Sequence, residues 1–297
     1  MQIGVTKIID TFAEAFSMRY CRVLVTAYDS YWLEAAVREF CGYSTSVIAC
    51  DCEAGLERWQ DGTESLDGRP GASILAFGFS AEALGQAVSN RTGQCIMTCP
   101  STAAFNGLTE AGQSVPWGSH LRFFGDGYQK SKLVADRRFW RIPVMDGEFV
   151  VEERIGISKG VAGGNIVIEG TDTPSALEAA RRAIDELAAM PGIITPFPAG
   201  IARSGSKVGS RYKALKASTS DAFCPTLRGR VDSQLQPETN CALEIVIDGI
   251  DEMHVRRAMR TAIQAAAGEN IAAISAGNYG GKLGKYQLKL IELFNDI

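Results

Sequence analysis

One acidic residue, Glu244, interrupts an apolar segment at residues 241–247. The segment has the alternation of a β-strand, so Glu244 lies on one face while Leu243 and Ile245 lie on the other. A carboxyl group on a partly apolar face resists ionisation, and we therefore expect a raised pKa. A carboxyl group that titrates near neutral pH can serve as a general acid or base. Two alternatives stay open: the face is wet, or Glu244 pairs with an arginine.

A serine and a lysine, Ser206 and Lys207, adjoin in a loop rich in glycine and serine. A lysine base can activate a serine for amide cleavage, which makes an amide hydrolase one candidate function. The same lysine can instead anchor an anionic group or point into water. The chain has two histidines, His120 and His254, and we find no plausible nucleophile that would pair with either. A serine–histidine triad is therefore poorly supported.

Two glycine-rich segments, residues 160–165 and 274–286, are typical of loops whose backbone approaches a ligand closely. Neither has the Gly-Lys-Ser/Thr ending of a phosphate loop or the G-x-G-x-x-G spacing of a dinucleotide fold. We expect these loops and the serine–lysine loop to bind a mostly organic substrate. The substrate-binding candidates in the three loops are Asn165, Ser206, Lys207, Gly277, Asn278 and Tyr279.

A further candidate segment reads Phe-Phe-Gly-Asp-Gly-Tyr-Gln at residues 123–129. Asp126 lies between two glycines, which fits a tight turn. The flanking aromatic residues, Tyr128 among them, can form a wall that stacks on a flat ligand. We include Asp126, Tyr128 and Gln129 among the substrate-binding candidates.

Composition excludes several classes of protein. A net charge of −4 produces no field that would recruit nucleic acid, and the longest apolar runs are too short to cross a bilayer. The first residues lack the pattern of a signal peptide, and we expect a cytoplasmic protein. The eight cysteines form no C-x2-C pair, so they do not match a zinc or iron–sulfur spacing. We expect no bound metal.

Strand and helix signals repeat in the order β-α-β-β-α-β in the two halves of the chain. The predicted strands lie at residues 22–27, 44–50, 72–79 and 94–99, then at 165–169, 192–195, 241–248 and 271–275, with further strands at 139–143, 148–154 and 286–293. The predicted helices begin at Ser30 and Ser80 as caps, at Thr173 with Pro174, and at Asp251 as a cap.

This order is that of two split β-α-β units, so we predict an α+β fold with two ferredoxin-like lobes packed together. The N-terminal lobe with a joining segment takes residues 1–158, and the C-terminal lobe takes residues 159–297. A doubly wound parallel sheet is the competing topology. Successive strands with no helix between them, such as 44–50 and 72–79, argue against it.

Short segments spread over the whole chain together resemble one family, the formylmethanofuran–tetrahydromethanopterin formyltransferases. Any one of them is a weak signal, but a dozen in the same order are highly specific. They are residues 10–16, 45–48, 53–55, 67–71, 93–95, 123–129, 160–165, 196–198, 206–210, 221–226, 244–249 and 275–284.

The resemblance implies transfer of a formyl group between the amine of a furan coenzyme (formylmethanofuran or a variant) and N5 of tetrahydromethanopterin. It implies two α+β lobes per subunit, no bound metal or prosthetic group, and two coenzymes that act as substrates. It also implies a homo-oligomer, such as a tetramer, or a subunit of a formyltransferase/hydrolase complex. In the family, a strand glutamate that matches Glu244 lies at the reaction centre.

The implied reaction is a direct attack of one amine on the formyl carbon, which passes through a tetrahedral oxyanion. We expect backbone N–H groups of the glycine loops to stabilise that oxyanion and Glu244 to act as the acid and base. Besides the amide hydrolase, a non-catalytic ferredoxin-like module that binds a small ligand stays open as an alternative.

Overall fold

The computed structural model describes residues 1–295. Within that range the chain forms five α-helices: α1 (Ser30–Cys41), α2 (Ala81–Arg91), α3 (Gly118–Leu121), α4 (Thr173–Leu187) and α5 (Glu252–Ala266). The strands are β1 (Gln2–Ile3), β2 (Thr6–Ile8), β3 (Phe12–Thr26), β4 (Glu53–Gln60), β5 (Gly71–Gly78), β6 (Ala103–Asn106), β7 (Gln113–Pro116), β8 (Lys130–Val134), β9 (Arg137–Val144), β10 (Gly147–Glu152), β11 (Arg154–Gly170), β12 (Ile193–Ile194), β13 (Ser206–Val208), β14 (Ala217–Thr219), β15 (Cys241–Gly249), β16 (Ile271–Ser275) and β17 (Tyr286–Lys289).

The described chain forms two compact units, and their boundaries fall inside β3 and β11. The first unit is Met18–Gly160, and the second combines Met1–Ser17 with the chain from Val161 onward. The first 17 residues belong to the second unit because β2 pairs with β16, whereas our predicted division assigns them to the N-terminal lobe.

The Met18–Gly160 unit is built on one run of paired strands, in the order β4-β5-β3-β6-β10-β9-β8. All neighbouring pairs in it are antiparallel except β6 with β10. Helices α1 and α2 bury their apolar residues against it, with Phe40 and Leu84 fully enclosed. The buried Trp117 donates its indole N–H to Thr92 Oγ1 at 3.1 Å, which satisfies the one polar atom of the ring.

The second unit has the strand order β12-β15-β11-β16-β2-β1, in which only β16 with β2 is parallel. Helices α4 and α5 cover one face of it. A stripe of alanines on α4, Ala176 to Ala183, is buried, together with Val255 and Met259 on α5. These small side chains let the two helices pack closely, whereas Leu177 on α4 is exposed. The prediction of an α+β fold is confirmed, and the strands are mostly antiparallel.

The helix starts follow the sequence signals closely. Ser80 and Asp251 cap α2 and α5, as predicted, by accepting a backbone N–H three residues on. The predicted cap Ser30 is wrong by one residue. Asp29 accepts the Trp32 N–H at 3.2 Å, and Ser30 is already helical. Among residues 1–295, no helix is both long and apolar enough to span a membrane.

The strand predicted at residues 44–50 is wrong. The backbone there turns back on itself, because the Cys50 N–H donates to the Ser46 carbonyl at 2.8 Å. The Val47 N–H donates to Glu53 Oε1 at 3.0 Å, so its acceptor is a side chain and not the carbonyl group of a neighbouring strand. The strand of this region is β4, which begins at that glutamate.

The strand predicted at residues 94–99 is also wrong, because the helical path of α2 continues as a single wide turn. The Met97 N–H donates to the Thr92 carbonyl at 2.8 Å, five residues back, and the Cys99 N–H donates to Ile96 at 2.9 Å. The strand that completes the unit is β6. The last predicted strand, residues 286–293, is shorter than expected and ends with β17.

Candidate active site

Glu244 lies in the middle of β15, where it pairs with Val167 of β11. Leu243, Ile245 and Ile247 are buried on the opposite face, so the predicted alternation is confirmed. The Glu244 side chain is half-buried and lines a cavity of about 250 Å³. The strand therefore presents the Glu244 carboxyl group to this cavity.

Burial raises the pKa of Glu244 to about 7. Within residues 1–295 no ion pair reaches its carboxyl group, so the alternative in which it pairs with an arginine does not hold. Two glycines let the backbone approach it: a Cβ on Gly205 would lie 2.7 Å from Oε2, and one on Gly277 would lie 3.7 Å from Oε1. At neutral pH this carboxyl group is present in both protonation states.

Tyr279 brings a hydroxyl group into the same cavity. Ser206 lines the same cavity, and the Tyr279 ring lies 6.2 Å from that of Phe16, centroid to centroid. Burial, followed by the negative charges of Glu244 and Glu14, raises the pKa of Tyr279. The phenol therefore stays protonated and able to donate a hydrogen bond.

Asn165 and Asn278 hold the glycine-rich segment that carries Tyr279. The Asn165 side chain donates to the Gly277 carbonyl at 3.0 Å and accepts the Gly277 N–H at 2.7 Å. The exposed Asn278 donates to the Phe12 carbonyl at 3.1 Å. Both asparagines also line the cavity. Their amide groups already have protein partners, so their first role is to shape the wall.

Lys207 forms an ion pair with Asp221, with 2.5 Å between Nζ and Oδ2. The Lys207 ammonium group holds the pKa of the Asp221 carboxyl group below its usual range. A lysine that activates a serine must take up the proton of the hydroxyl group, whereas Lys207 Nζ donates to Asp221 Oδ2. The geometry around Ser206 therefore does not favour a serine–lysine base.

Residues 1–144 match the family model of formylmethanofuran–tetrahydromethanopterin formyltransferase, and residues 147–293 match the model described as the proximal lobe of that enzyme. The chain belongs to the formylmethanofuran–tetrahydromethanopterin formyltransferase family. It is 50% identical to the enzyme of that name from Methylococcus capsulatus, with 99% of each chain covered. It is 47% identical to the one from Methanosarcina mazei, covering 99% of this chain and 100% of the relative.

Two solved structures of this formyltransferase family resemble the chain. The formyltransferase from Methanosarcina barkeri superposes with a TM-score of 0.93 at 45% identity, over 99% of this chain and 100% of that one. A chain of the formyltransferase/hydrolase complex from Methylorubrum extorquens, solved with methylofuran, gives 0.95 at 44% identity, over 99% and 98%.

The cavity brings together seven of the residues predicted for a formyltransferase site and leaves out three. The seven lining residues are Asn165, Ser206, Lys207, Glu244, Gly277, Asn278 and Tyr279. Asp126, Tyr128 and Gln129 belong to the Met18–Gly160 unit and are not among its lining residues. A neighbouring cavity of about 510 Å³ shares Lys207, Thr219 and Asp221 with it, which extends the room for a large substrate.

The segment with Asp126 forms the predicted tight turn. Asp126 has a left-handed backbone, with φ 50° and ψ 38°, and the Gly127 N–H donates to Gln129 Oε1 at 2.9 Å. Tyr128 is exposed. A substrate contact by these three residues stays a prediction.

Six backbone N–H groups of residues 277–284, a segment that we expected to donate to the oxyanion, already have acceptors within the chain. The backbone N–H groups of Tyr279, Gly281, Leu283 and Gly284 all donate to the Glu14 carboxylate. Those of Gly277 and Gly280 donate to the asparagines described above. These six amides are therefore occupied in this structure, and the role of the glycine loops as oxyanion donors stays a prediction.

Glu14 is the residue that sequence reasoning missed. It interrupts the apolar alternation of β3 in the same way that Glu244 interrupts β15, so the signal was present. Its partners lie 265–270 residues away, which no local pattern could indicate. No cluster of three or more histidine, cysteine or acidic side chains with a metal-binding arrangement occurs within residues 1–295.

Proposed function

We propose that this chain transfers a formyl group between a formylated furan coenzyme, formylmethanofuran or a variant, and N5 of tetrahydromethanopterin, with Glu244 as the acid and base. Membership of the formyltransferase family supports the reaction. The observation that carries the mechanism is the Glu244 carboxyl group. It has no ion-pair partner within residues 1–295, its pKa is raised to about 7, and it faces a cavity whose lining includes the hydroxyl groups of Tyr279 and Ser206.

The reaction needs one proton to be moved from one amine to another. When N5 attacks the formyl carbon, the new C–N bond leaves a positive amine and a negative oxygen on a tetrahedral carbon. The Glu244 carboxylate accepts the proton from N5. It then donates the same proton to the furan amine as the old C–N bond breaks. A carboxyl group with a pKa near the working pH suits both steps, because neither protonation state is costly.

The tetrahedral oxygen needs hydrogen-bond donors, and the hydroxyl groups of Tyr279 and Ser206 supply them. Both groups line the cavity that Glu244 faces. A protonated Glu244 is a third donor on the same cavity wall. Donors that are held in place before the reaction stabilise the oxyanion without further reorganisation.

The assembly that we propose is a homo-oligomer, such as a tetramer, or a subunit of a formyltransferase/hydrolase complex. The solved complex with a 44% identical chain supports the second form. Within each unit we propose a ferredoxin-like arrangement, which the strand orders β4-β5-β3-β6 and β12-β15-β11-β16 support. Both coenzymes act as substrates in this proposal, no metal or prosthetic group stays bound, and the protein works in the cytoplasm.

A formyl-transfer assay with the purified chain tests the proposal. The formylated furan coenzyme is incubated with and without tetrahydromethanopterin, and formylated pterin and free formate are both measured. Formylated pterin is expected only when both coenzymes are present. Formate release without the pterin would instead support the serine–lysine amide hydrolase. Binding of either coenzyme with no product would support a non-catalytic module.

A further inference from the structure

A buried carboxylate, Glu14 on β3, lies at the centre of the segment 277–284, which we call the glycine loop. The side chain is only 1% exposed. Oε2 accepts the N–H groups of Tyr279 and Gly281, each at 2.8 Å. Oε1 accepts those of Leu283 and Gly284, each at 2.5 Å. Four backbone donors of one short loop therefore converge on one side chain.

The loop has the conformation that this carboxylate requires. Gly281 has φ +70°, a left-handed value that favours glycine. A Cβ on Gly284 would lie 2.6 Å from both Cγ of Glu14 and the carbonyl oxygen of Ala15, so the loop backbone is in close contact with Glu14. Burial disfavours the charged form of Glu14, but the four N–H donors outweigh it and hold its pKa below the usual range. The group is thus a permanent anion in the working pH range.

The loop connects this anion to the reacting groups. Tyr279 uses its backbone N–H for Glu14, while its side chain lines the cavity together with Ser206 and Glu244. Gly277, at the start of the loop, closes the cavity beside Glu244. If the carboxylate were lost, four N–H groups would lose their acceptor and the position of the Tyr279 ring would no longer be fixed.

We propose that Glu14 is a positioning residue for formyl transfer: it holds the glycine loop so that the Tyr279 hydroxyl and the closed wall of the cavity stay in place around Glu244. The inference rests on the function proposed above. Glu14 itself does not line the cavity, so it acts through the loop and not on the substrate.

The chain offers a matched control in Glu169, another fully buried strand glutamate of the same unit. Its Oε2 accepts from the Gln236 N–H and Thr239 Oγ1, while its Oε1 accepts only from the Ser275 hydroxyl group at 3.0 Å. In Glu169→Gln the new NH2 group can face the Ser275 hydroxyl group. That hydroxyl group can rotate and accept a hydrogen bond from it. In Glu14→Gln the new NH2 faces two backbone N–H groups whichever way it points, and these cannot turn.

The experiment compares the parent, Glu14→Gln and Glu169→Gln by hydrogen exchange and by kinetics. In the parent, the amides of Tyr279, Gly281, Leu283 and Gly284 should be protected. In Glu14→Gln these four should exchange at least tenfold faster, and kcat should fall about a hundredfold, as expected for a displacement of about 1 Å near the chemistry. In Glu169→Gln the exchange rates of these four amides and kcat should stay within about threefold of the parent values.

The pH profile separates positioning from simple loss of stability. Loosening the loop admits water to Glu244, so the pH midpoint assigned to its carboxyl group should move from about 7 towards the ordinary value of 4.5. The other titratable groups that line the cavity are Arg203, Lys207, Asp221, Cys224 and Tyr279, and none of them is changed. A role confined to stability would lower the melting temperature and leave this midpoint where it is.

If Glu14→Gln does not fold, Gly284→Ala perturbs the same contact from the loop side, and the same exchange and pH measurements apply to it. Unchanged exchange of the four amides, or an unchanged kcat and pH midpoint in a folded variant with a loosened loop, would overturn the inference. A parent protein that transfers no formyl group would refute the proposed function instead. The hydrogen exchange of the four amides would still show whether Glu14 holds the glycine loop.

Discussion

Replacing Glu244 by glutamine tests the central element of the mechanism. Glu244→Gln keeps the shape of the side chain and one hydrogen-bond donor, but it cannot exchange a proton. We expect kcat to fall at least tenfold and closer to about a hundredfold, the lower end of what general acid–base catalysis contributes. The KM values should change little, since the group acts mainly on the transition state.

The same variant has an expected effect on stability with a definite sign. The folded-state pKa of Glu244 is raised, so ionisation penalises the folded state as the pH rises above the ordinary value of 4.5. The penalty is complete above a pH of about 7, and a shift of this size corresponds to about 3 kcal/mol as an upper value. Glutamine cannot ionise. Glu244→Gln should therefore gain stability over the parent between pH 4 and pH 8, by up to about 3 kcal/mol.

Two assays check these expectations. Initial rates of formylated pterin formation give kcat and KM for both proteins, and urea unfolding at pH 4 and pH 8 gives the free energies of unfolding. Equal turnover in the two proteins would refute Glu244 as the acid and base. A stability difference that does not change with pH would refute the desolvated carboxyl group, because a wet glutamate has no raised pKa to lose.

Three other expectations can be tested with the same protein. Tyr279→Phe should lower kcat by about a hundredfold or more, because an oxyanion donor contributes about 3 kcal/mol. The control Tyr286→Phe, on β17 and outside the cavity lining, should have little effect on kcat. Equal kcat values in the two variants would exclude Tyr279 from the mechanism. Extensive chelation should leave turnover intact, and stoichiometric zinc or iron that is lost together with activity would contradict this. Light scattering should find a species larger than one chain, and a fully active monodisperse monomer at micromolar concentration would count against the proposed assembly.

Features that depend on local periodicity followed from the sequence alone. The alternation in β15 was sufficient to identify Glu244 as an acid on a strand face, and the 3.6-residue spacing identified helices α4 and α5. The caps Ser80 and Asp251 could be found because a cap interacts with a backbone group only three residues away. The ordered series of short segments indicated the family before any contact was known.

Tertiary structure decided which partner each polar group takes. Residues 94–99 have strand-like composition, yet they continue a helical path because their N–H groups find carbonyls behind them in the chain. The sequence alone does not show which group Lys207 contacts. Folding places Asp221 against its ammonium group, and this ion pair does not favour Lys207 as a base. The loop amides appeared available for an oxyanion until Glu14, at the other end of the chain, took four of them. Sequence periodicity reports which face a side chain occupies, whereas hydrogen-bond and ion-pair partners depend on contacts between distant segments that only the folded chain creates.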